Sequence, residues 1–158
     1  MPFALNSTAF VRLGMIPKEC TCEGADRAPS LSWSGAPPGT KSFALIMDDP
    51  DAPDPAAPTQ TFVHWVIYDL PPTTKGLVQM EPFPPGTRQG KNETGRTGYT
   101  GPCPPKGKHR YFFKLYALDT LLGDLKSPTK SQLEKAMKDH ILAKAELIGM
   151  YEKAKKKS

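Results

Sequence analysis

Apolar residues in the first 120 positions occur in short runs that are separated by segments rich in proline and glycine. The clearest runs are rich in β-branched or aromatic residues and span 31–33, 42–47, 63–70 and 110–118. The long segments between them, above all 50–58, 71–85 and 95–107, carry no helical periodicity. Parallel strands would need helical crossovers at these places. The pattern therefore predicts a mainly β protein with antiparallel sheets.

The run 62–68 alternates in a way that predicts two distinct strand faces. One face is expected to carry Phe62, His64, Val66 and Tyr68, and the other Val63, Trp65 and Ile67. His64 would then be half-buried among apolar and aromatic neighbours. A buried imidazole without a hydrogen-bond partner costs about 1–3 kcal/mol. We expect its partner to be an aspartate of the segment Asp49-Pro50-Asp51.

The pattern changes after Gly123. The spacing Ser131-Gln-Leu-Glu134 is that of a capping box. A stripe at intervals of three and four follows, formed by Leu133, Met137, His140, Ile141, Ile148 and Tyr151. We predict one long or kinked amphipathic C-terminal helix that packs on the β body, with His140 as a core or interface histidine. The same stripe could instead be buried in a homodimer.

Length and charge restrict the classes of protein that remain. We expect a single domain over 1–152 and a basic, disordered tail over 153–158. Residues 151–158 carry four lysines and one glutamate, a net +3 of the chain's formal +5, so the rest carries only +2. This distribution argues against nucleic acid as a partner. No apolar run approaches the ~20 residues that cross a bilayer, and the first residues do not resemble a secretion signal.

The cysteines are Cys20, Cys22 and Cys103. An odd number in a chain of this length argues against a disulfide framework and in favour of a reducing compartment. The one-residue spacing in Cys20-Thr-Cys22 is too short for the usual zinc pair. We therefore expect free thiols, no metal, no cofactor and a cytoplasmic location.

Two segments at strand ends carry the candidate chemistry. In the first, Pro50 is expected to stop the strand, so that Asp49 and Asp51 project from a rigid turn. Ala52-Pro53 and Asp54-Pro55 stiffen this turn, and an X–Pro bond here is a candidate for cis. In the second, His109 and Tyr111 share one face of the strand that begins there. Arg110 faces the other side and is expected to pair with a carboxylate. The loop 95–107 is expected to wall the pocket with its prolines and to offer backbone N–H groups to a ligand, because its glycines let the backbone approach closely.

These blocks are similar to those of the phosphatidylethanolamine-binding proteins, also called Raf kinase inhibitor-like proteins, and most of all to their short prokaryotic branch. The matching segments are 21–24, 29–33, 49–53, 64–65, 101–111 and 140–147. The resemblance implies a two-sheet antiparallel β-sandwich with a small anion pocket for phosphate or phosphorylated head groups. By that resemblance, the ligand-binding residues would be Asp49, Asp51, Pro53, His64, Gly101, Pro104, Pro105, His109 and Tyr111.

We therefore expect a non-catalytic, regulatory or inhibitor-like binding protein, with at least one histidine protonated when an anion is bound. Two alternatives stay open. The first is a metal-dependent or phosphate-ester hydrolase that uses Asp49, Asp51, His64 and His109. The second is an interaction module that captures a phosphorylated segment of a partner protein, which would need the same hydrogen-bond donors as a small ligand.

Overall fold

A computed structural model describes residues 2–154 of the chain. It contains eight strands, a single turn of 3-10 helix at Lys18–Cys20 and one α-helix, α1, at Lys130–Met137. The strands are β1 Ala4–Asn6, β2 Leu31–Ser34, β3 Ser42–Ala52, β4 Gln60–Leu70, β5 Gly76–Leu77, β6 Arg88–Gln89, β7 His109–Leu118 and β8 Ile141–Tyr151. The four predicted strands lie within β2, β3, β4 and β7, so these predictions are confirmed.

The strands form two antiparallel sheets. The larger has the order β6-β4-β3-β7-β8 and the smaller the order β1-β2-β5. Side chains of the small sheet, among them Leu5 and Trp33, pack with Phe43 and Trp65 of the large sheet to form the main core. On the opposite face of the large sheet, Leu133 of α1 helps to cover a second core. The predicted fold of two antiparallel sheets is confirmed.

The predicted C-terminal helix is only partly present. α1 ends at Met137, and its capping box is formed by Thr129 and Gln132 rather than by Ser131 and Glu134. After α1 the backbone takes a positive φ of 71° at Asp139 and continues as β8, which pairs with β7 along its length. The prediction of a helix through position 151 is therefore wrong.

One further expectation fails with that helix, and a second loses its argument and stays untested. His140 lies in the turn before β8, partly exposed, and its Nδ1 is 2.8 Å from Oδ1 of Asp119. It is not a core histidine. The apolar stripe that could have been buried in a homodimer does not exist as a helix face, so that argument for a dimer is lost.

β4 departs from simple alternation at His64. Met47 pairs with Trp65 and Asp48 with Val63, so the register shifts and His64 has no Cα partner on β3. Trp65 and Ile67 therefore face the main core, whereas Val63, Val66 and Tyr68 face the second one. The prediction that Val63 shares a face with Trp65 is wrong because this β-bulge inverts the pattern.

β3 does not end at Asp49. The strand continues through Pro50 to Ala52, with a further register shift between Asp49 and Ala52. The expected turn is thus a distorted strand end. The bond Ala52-Pro53 is cis, which agrees with the expectation of a cis X–Pro bond in this segment and identifies which bond it is.

The expectation of free thiols is wrong for two of the three cysteines. Cys22 and Cys103 form a disulfide across 81 residues of sequence, and Cys20 is free and buried. The argument for a reducing compartment fails with it, and the cytoplasmic location stays a prediction. Over residues 2–154, no helix is long and apolar enough to cross a bilayer. The division into a domain and a tail stays a prediction, and positions 155–158 lie outside the described residues.

Candidate functional site

A pocket of about 390 Å³ opens where β3 ends and β7 begins. It brings together eight of the nine residues predicted for the site. These are Asp49, Pro53, His64, Gly101, Pro104, Pro105, His109 and Tyr111. Asp51 does not line the pocket. Residues that the sequence did not point to complete the lining, namely Cys22, Ala52, Gln60, Phe62, Thr94, Thr100 and Cys103.

His109 and Asp49 form the floor of the pocket. The antiparallel pairing of β3 with β7 brings the two residues together, and Nδ1 of His109 lies 2.6 Å from Oδ2 of Asp49. The other ring nitrogen, Nε2, lies 2.8 Å from the carbonyl oxygen of Lys106 and 3.1 Å from that of Pro53. Both side chains are almost fully buried. The ring of His109 therefore has no nitrogen left for a ligand.

These contacts determine the charge of the pair. Carbonyl oxygens only accept hydrogen bonds, so Nε2 of His109 must carry a proton. The short contact to Asp49 then requires a second proton, held either by Nδ1 or by the carboxyl group. The pair is an imidazolium with a carboxylate or an imidazole with a carboxylic acid, and it has no net charge in either form. Burial raises the pKa of Asp49, against the lowering effect of the His109 hydrogen bond.

Asp51 is paired outside the pocket. Its carboxylate accepts hydrogen bonds from Nε of Arg110 at 3.0 Å, from Nη2 at 2.9 Å and from the backbone N–H of Arg110 at 2.9 Å. This guanidinium lowers the pKa of Asp51. The prediction that Arg110 pairs with a carboxylate is confirmed. The carboxylates of Asp49 and Asp51 are both compensated, so neither leaves a net negative charge to repel an anion.

His64 presents a free acceptor to the pocket. Its Nδ1 donates to the carbonyl oxygen of Thr100 at 2.7 Å, rather than to an aspartate as predicted. Desolvation lowers the pKa of His64 to about 4, although the bond to Thr100 acts in the opposite direction. The ring is therefore neutral near pH 7, and Nε2 bears a lone pair. No hydrogen-bond partner for this buried Nε2 is found among residues 2–154.

Tyr111 presents a free hydroxyl beside it. The rings of His64 and Tyr111 meet edge to face with their centroids 5.2 Å apart, and Phe62 packs on the other side of His64 at 4.8 Å. The hydroxyl of Tyr111 is buried and, within the described part of the chain, has no partner either. Burial raises its pKa, so the group keeps its proton. The pocket thus combines one unused acceptor with one unused donor.

The segment from Gly101 to Pro105 provides a wall, and the N–H of Gly101 is already used within the protein. The N–H of Gly101 donates to Oδ1 of Asp26 at 2.8 Å, and prolines have no N–H. Gly101 packs so closely on the backbone of Cys20 and on Asp26 that a Cβ there would overlap both. Glycine is required here for packing against the neighbouring loop. The N–H of Gly101 is therefore not available to a ligand, and the expectation that other N–H groups of the loop 95–107 bind one stays a prediction.

Metal-binding clusters and other pockets are the alternatives to this site over residues 2–154. Residues 2–154 contain no group of three or more His, Cys, Asp or Glu side chains that could hold a metal ion. A larger depression of about 610 Å³ lies beside the start of α1. There Lys130 is paired with Asp48 at 2.8 Å, and Glu93 accepts from the backbone of Val63. That depression has no unpartnered buried polar group.

The fold and the pocket define a two-sheet β protein of a ligand-binding class. The family model described as phosphatidylethanolamine-binding protein matches residues 6–152. The chain belongs to this family.

Its relatives include a UPF0098 protein of Methanothermobacter thermautotrophicus. The two are 47% identical over 151 residues, which cover 93% of this chain and 97% of the relative. A solved homologue of phosphatidylethanolamine-binding protein from Chlamydia trachomatis superposes with a TM-score of 0.90 at 42% identity, covering 97% of this chain and 99% of the other. YbcL of Escherichia coli, described as a new member of the mammalian family, superposes with a TM-score of 0.86 at 32% identity. The match covers 98% of this chain and 100% of YbcL.

Proposed function

We propose that the chain is a non-catalytic binding protein whose pocket takes phosphate or a small phosphorylated molecule. The observation that carries this proposal is the pair of buried, unpartnered polar atoms, Nε2 of His64 and the hydroxyl of Tyr111, in one cavity. Leaving such groups without partners is costly, about 1–3 kcal/mol each. A ligand that completes both hydrogen bonds gains that energy.

The two atoms favour an oxyanion that carries one proton. Nε2 of neutral His64 can only accept, so the ligand must donate to it, whereas the hydroxyl of Tyr111 can donate to the ligand. A phosphate monoester in its singly protonated form offers a P–OH and unprotonated oxygens on the same phosphorus. A phosphodiester has no P–OH. We therefore expect monoesters such as phosphoethanolamine to bind better than the matching diesters.

Charge and shape support the same class of ligand. The pair His109–Asp49 leaves the floor without net charge, and Asp51 outside the pocket is compensated by Arg110, so a singly charged oxyanion meets no carboxylate repulsion. Phe62, Pro104 and Pro105 give the pocket apolar walls for a short organic substituent. Most small-molecule sites combine such walls with a few placed polar groups.

The proposed protein differs from a hydrolase because it binds the ligand without cleaving it. Asp49 is engaged by His109 and by the backbone N–H of Asp51, and Asp51 is engaged by Arg110. Neither carboxylate is free to act as a nucleophile.

Capture of a phosphorylated protein segment would use the same two atoms, Nε2 of His64 and the hydroxyl of Tyr111. A regulatory role of that kind stays a prediction.

The test is calorimetric titration of phosphoethanolamine into wild type and into Tyr111→Phe. Loss of one hydrogen bond to a charged ligand is worth about 1.5 kcal/mol, so the variant should bind about tenfold more weakly. Tyr116→Phe, which changes a tyrosine on the opposite face of the sheet, is the matched control and should bind like wild type. Equal affinities of wild type and Tyr111→Phe would refute the assignment of this hydroxyl to the ligand.

A further inference from the structure

The Cys22–Cys103 disulfide forms part of the pocket wall rather than a distant staple. Both cysteines line the pocket, and Cys103 is followed directly by the lining residues Pro104 and Pro105. The bridge connects this wall to the loop that follows the 3-10 helix, 81 residues earlier in the sequence. Both cysteine residues are exposed to solvent. A thiol in solution can therefore reach the bond.

The wall on either side of the bridge is held by hydrogen bonds. On the N-terminal side, the backbone N–H of Cys22 donates to the carbonyl oxygen of Pro102 at 3.1 Å, and that of Gly101 donates to Asp26. On the C-terminal side, Nε2 of His109 donates to the carbonyl oxygen of Lys106. These contacts do not depend on the disulfide.

Residues 103–105 have no such support. In the part of the chain that the structure describes, none of the three takes part in a hydrogen bond, and two of them are prolines without an N–H. The disulfide is the covalent link that ties this short segment to the body of the protein. If the link is cut, the segment is held at its two ends and by the packing of Pro104, which is buried, with no hydrogen bond of its own among the described residues.

We infer that reduction of the Cys22–Cys103 disulfide releases the proline wall of the pocket and thereby weakens ligand binding. This inference rests on the proposed function for its ligand and on the geometry of the wall for its mechanism.

Reduction of the disulfide consumes two thiols. One attacks as thiolate and forms a mixed disulfide with one cysteine while the other cysteine leaves and takes up a proton. The second thiol, as thiolate, then attacks the small-molecule sulfur of the mixed disulfide and displaces the cysteine, which takes up a proton. The products are two cysteine thiols and one small-molecule disulfide.

Cys20 does not take part in this exchange. It lies two residues before Cys22, but its thiol is buried and burial raises its pKa to about 11. A thiol with so little thiolate near pH 7 is a poor nucleophile. The variant Cys20→Ala is therefore a matched control that removes the remaining thiol and leaves the bridge intact.

The first measurement is the affinity for phosphoethanolamine before and after treatment with dithiothreitol, in matched buffers. We expect binding to weaken about tenfold on reduction, because the ligand must then order the released wall. Reoxidation should restore the affinity, and Cys20→Ala should behave like wild type throughout. The double variant Cys22→Ser/Cys103→Ser should bind like the reduced protein. An affinity that does not change on reduction would overturn the inference.

The second measurement needs no ligand. Lys106 and Lys108 are exposed and directly follow the released segment, so limited trypsin digestion should cleave after them faster in the reduced protein. Cleavage after Lys126, in the loop before α1, should keep its rate. Equal acceleration at all three sites would mean general unfolding and would also overturn the inference. Reduction could also speed cleavage at Lys106 and Lys108 in a protein that does not bind phosphoethanolamine in either redox state. That result would support release of the wall and would refute the proposed function.

Discussion

Acid should destabilise the folded protein through His64. Desolvation lowers the pKa of this imidazole from 6.5 to about 4, so the folded chain holds it neutral at pH values where the unfolded chain protonates it. Above pH 6.5 both states are neutral and nothing is lost. Between pH 6.5 and about 4 the unfolded state binds the additional proton, and stability falls as the pH falls. At about 1.4 kcal/mol per pKa unit, the full loss is about 3 kcal/mol.

The comparison with His64→Asn isolates this effect from other titrating groups. Asparagine can place its amide nitrogen near the position of Nδ1 and keep the bond to the carbonyl oxygen of Thr100, but it does not titrate. Urea unfolding at pH 7 and at pH 4 gives the loss of stability for each protein. We expect wild type to lose about 3 kcal/mol more than the variant over this interval. Equal losses in the two proteins would refute the assignment of a buried, neutral imidazole at position 64.

Three further substitutions have distinct expected outcomes in urea unfolding. Tyr111→Phe, which removes the unpartnered hydroxyl, should leave stability unchanged or raise it by about 1 kcal/mol; a clear loss would mean that the hydroxyl has a partner in the free protein. Arg110→Ala should lower the free energy of unfolding by about 1 kcal/mol at pH 7, because Asp51 loses a half-exposed partner. The loss should shrink as Asp51 is protonated in acid, and a loss independent of pH would contradict this pairing. Gly101→Ala should cost about 2 kcal/mol because its Cβ would overlap Asp26 and the backbone of Cys20; a neutral result would contradict the close packing.

The strands that the sequence predicted correctly share a strong local signal. In β3, β4 and β7, aromatic and β-branched residues either alternate with polar ones or occupy both faces of the sheet. Prolines and glycines mark the ends of these strands. β8 lacks that contrast. In the second half of β8, every second residue from 145 to 151 is buried. These residues are Ala145, Leu147, Gly149 and Tyr151, and the two small ones weaken the strand pattern. Ile141, Ile148 and Tyr151 happen to match helical spacing, which explains the wrong prediction.

Most of the site could be predicted because its side chains lie in recognisable motifs at strand ends. The pairing of His109 with Asp49 and of Arg110 with Asp51 follows from the antiparallel contact of β3 with β7. The partner of His64 could not be predicted, because a carbonyl group such as that of Thr100 has no signature in the sequence.

Long-range and irregular features were beyond the reach of the sequence. The β-bulge at His64 depends on the register with β3, and nothing in the alternation of β4 reveals it. The disulfide joins Cys22 to a partner 81 residues away, and counting cysteines does not identify which two of three meet. The packing of the loop after Cys20 against Gly101 and the hydrogen bond from Cys22 to Pro102 bring them together.

Nitrogen NMR of the histidine side chains, with phosphoethanolamine added to saturation, tests the central claim most directly. The signals of His64 are assigned by their absence from His64→Asn. The account predicts a neutral ring at pH 7 with its proton on Nδ1, and an Nε2 resonance that shifts on ligand binding while those of His140 stay in place. A ligand that saturates the protein without moving the His64 Nε2 resonance, or a proton on that nitrogen in the free protein at pH 7, would contradict it.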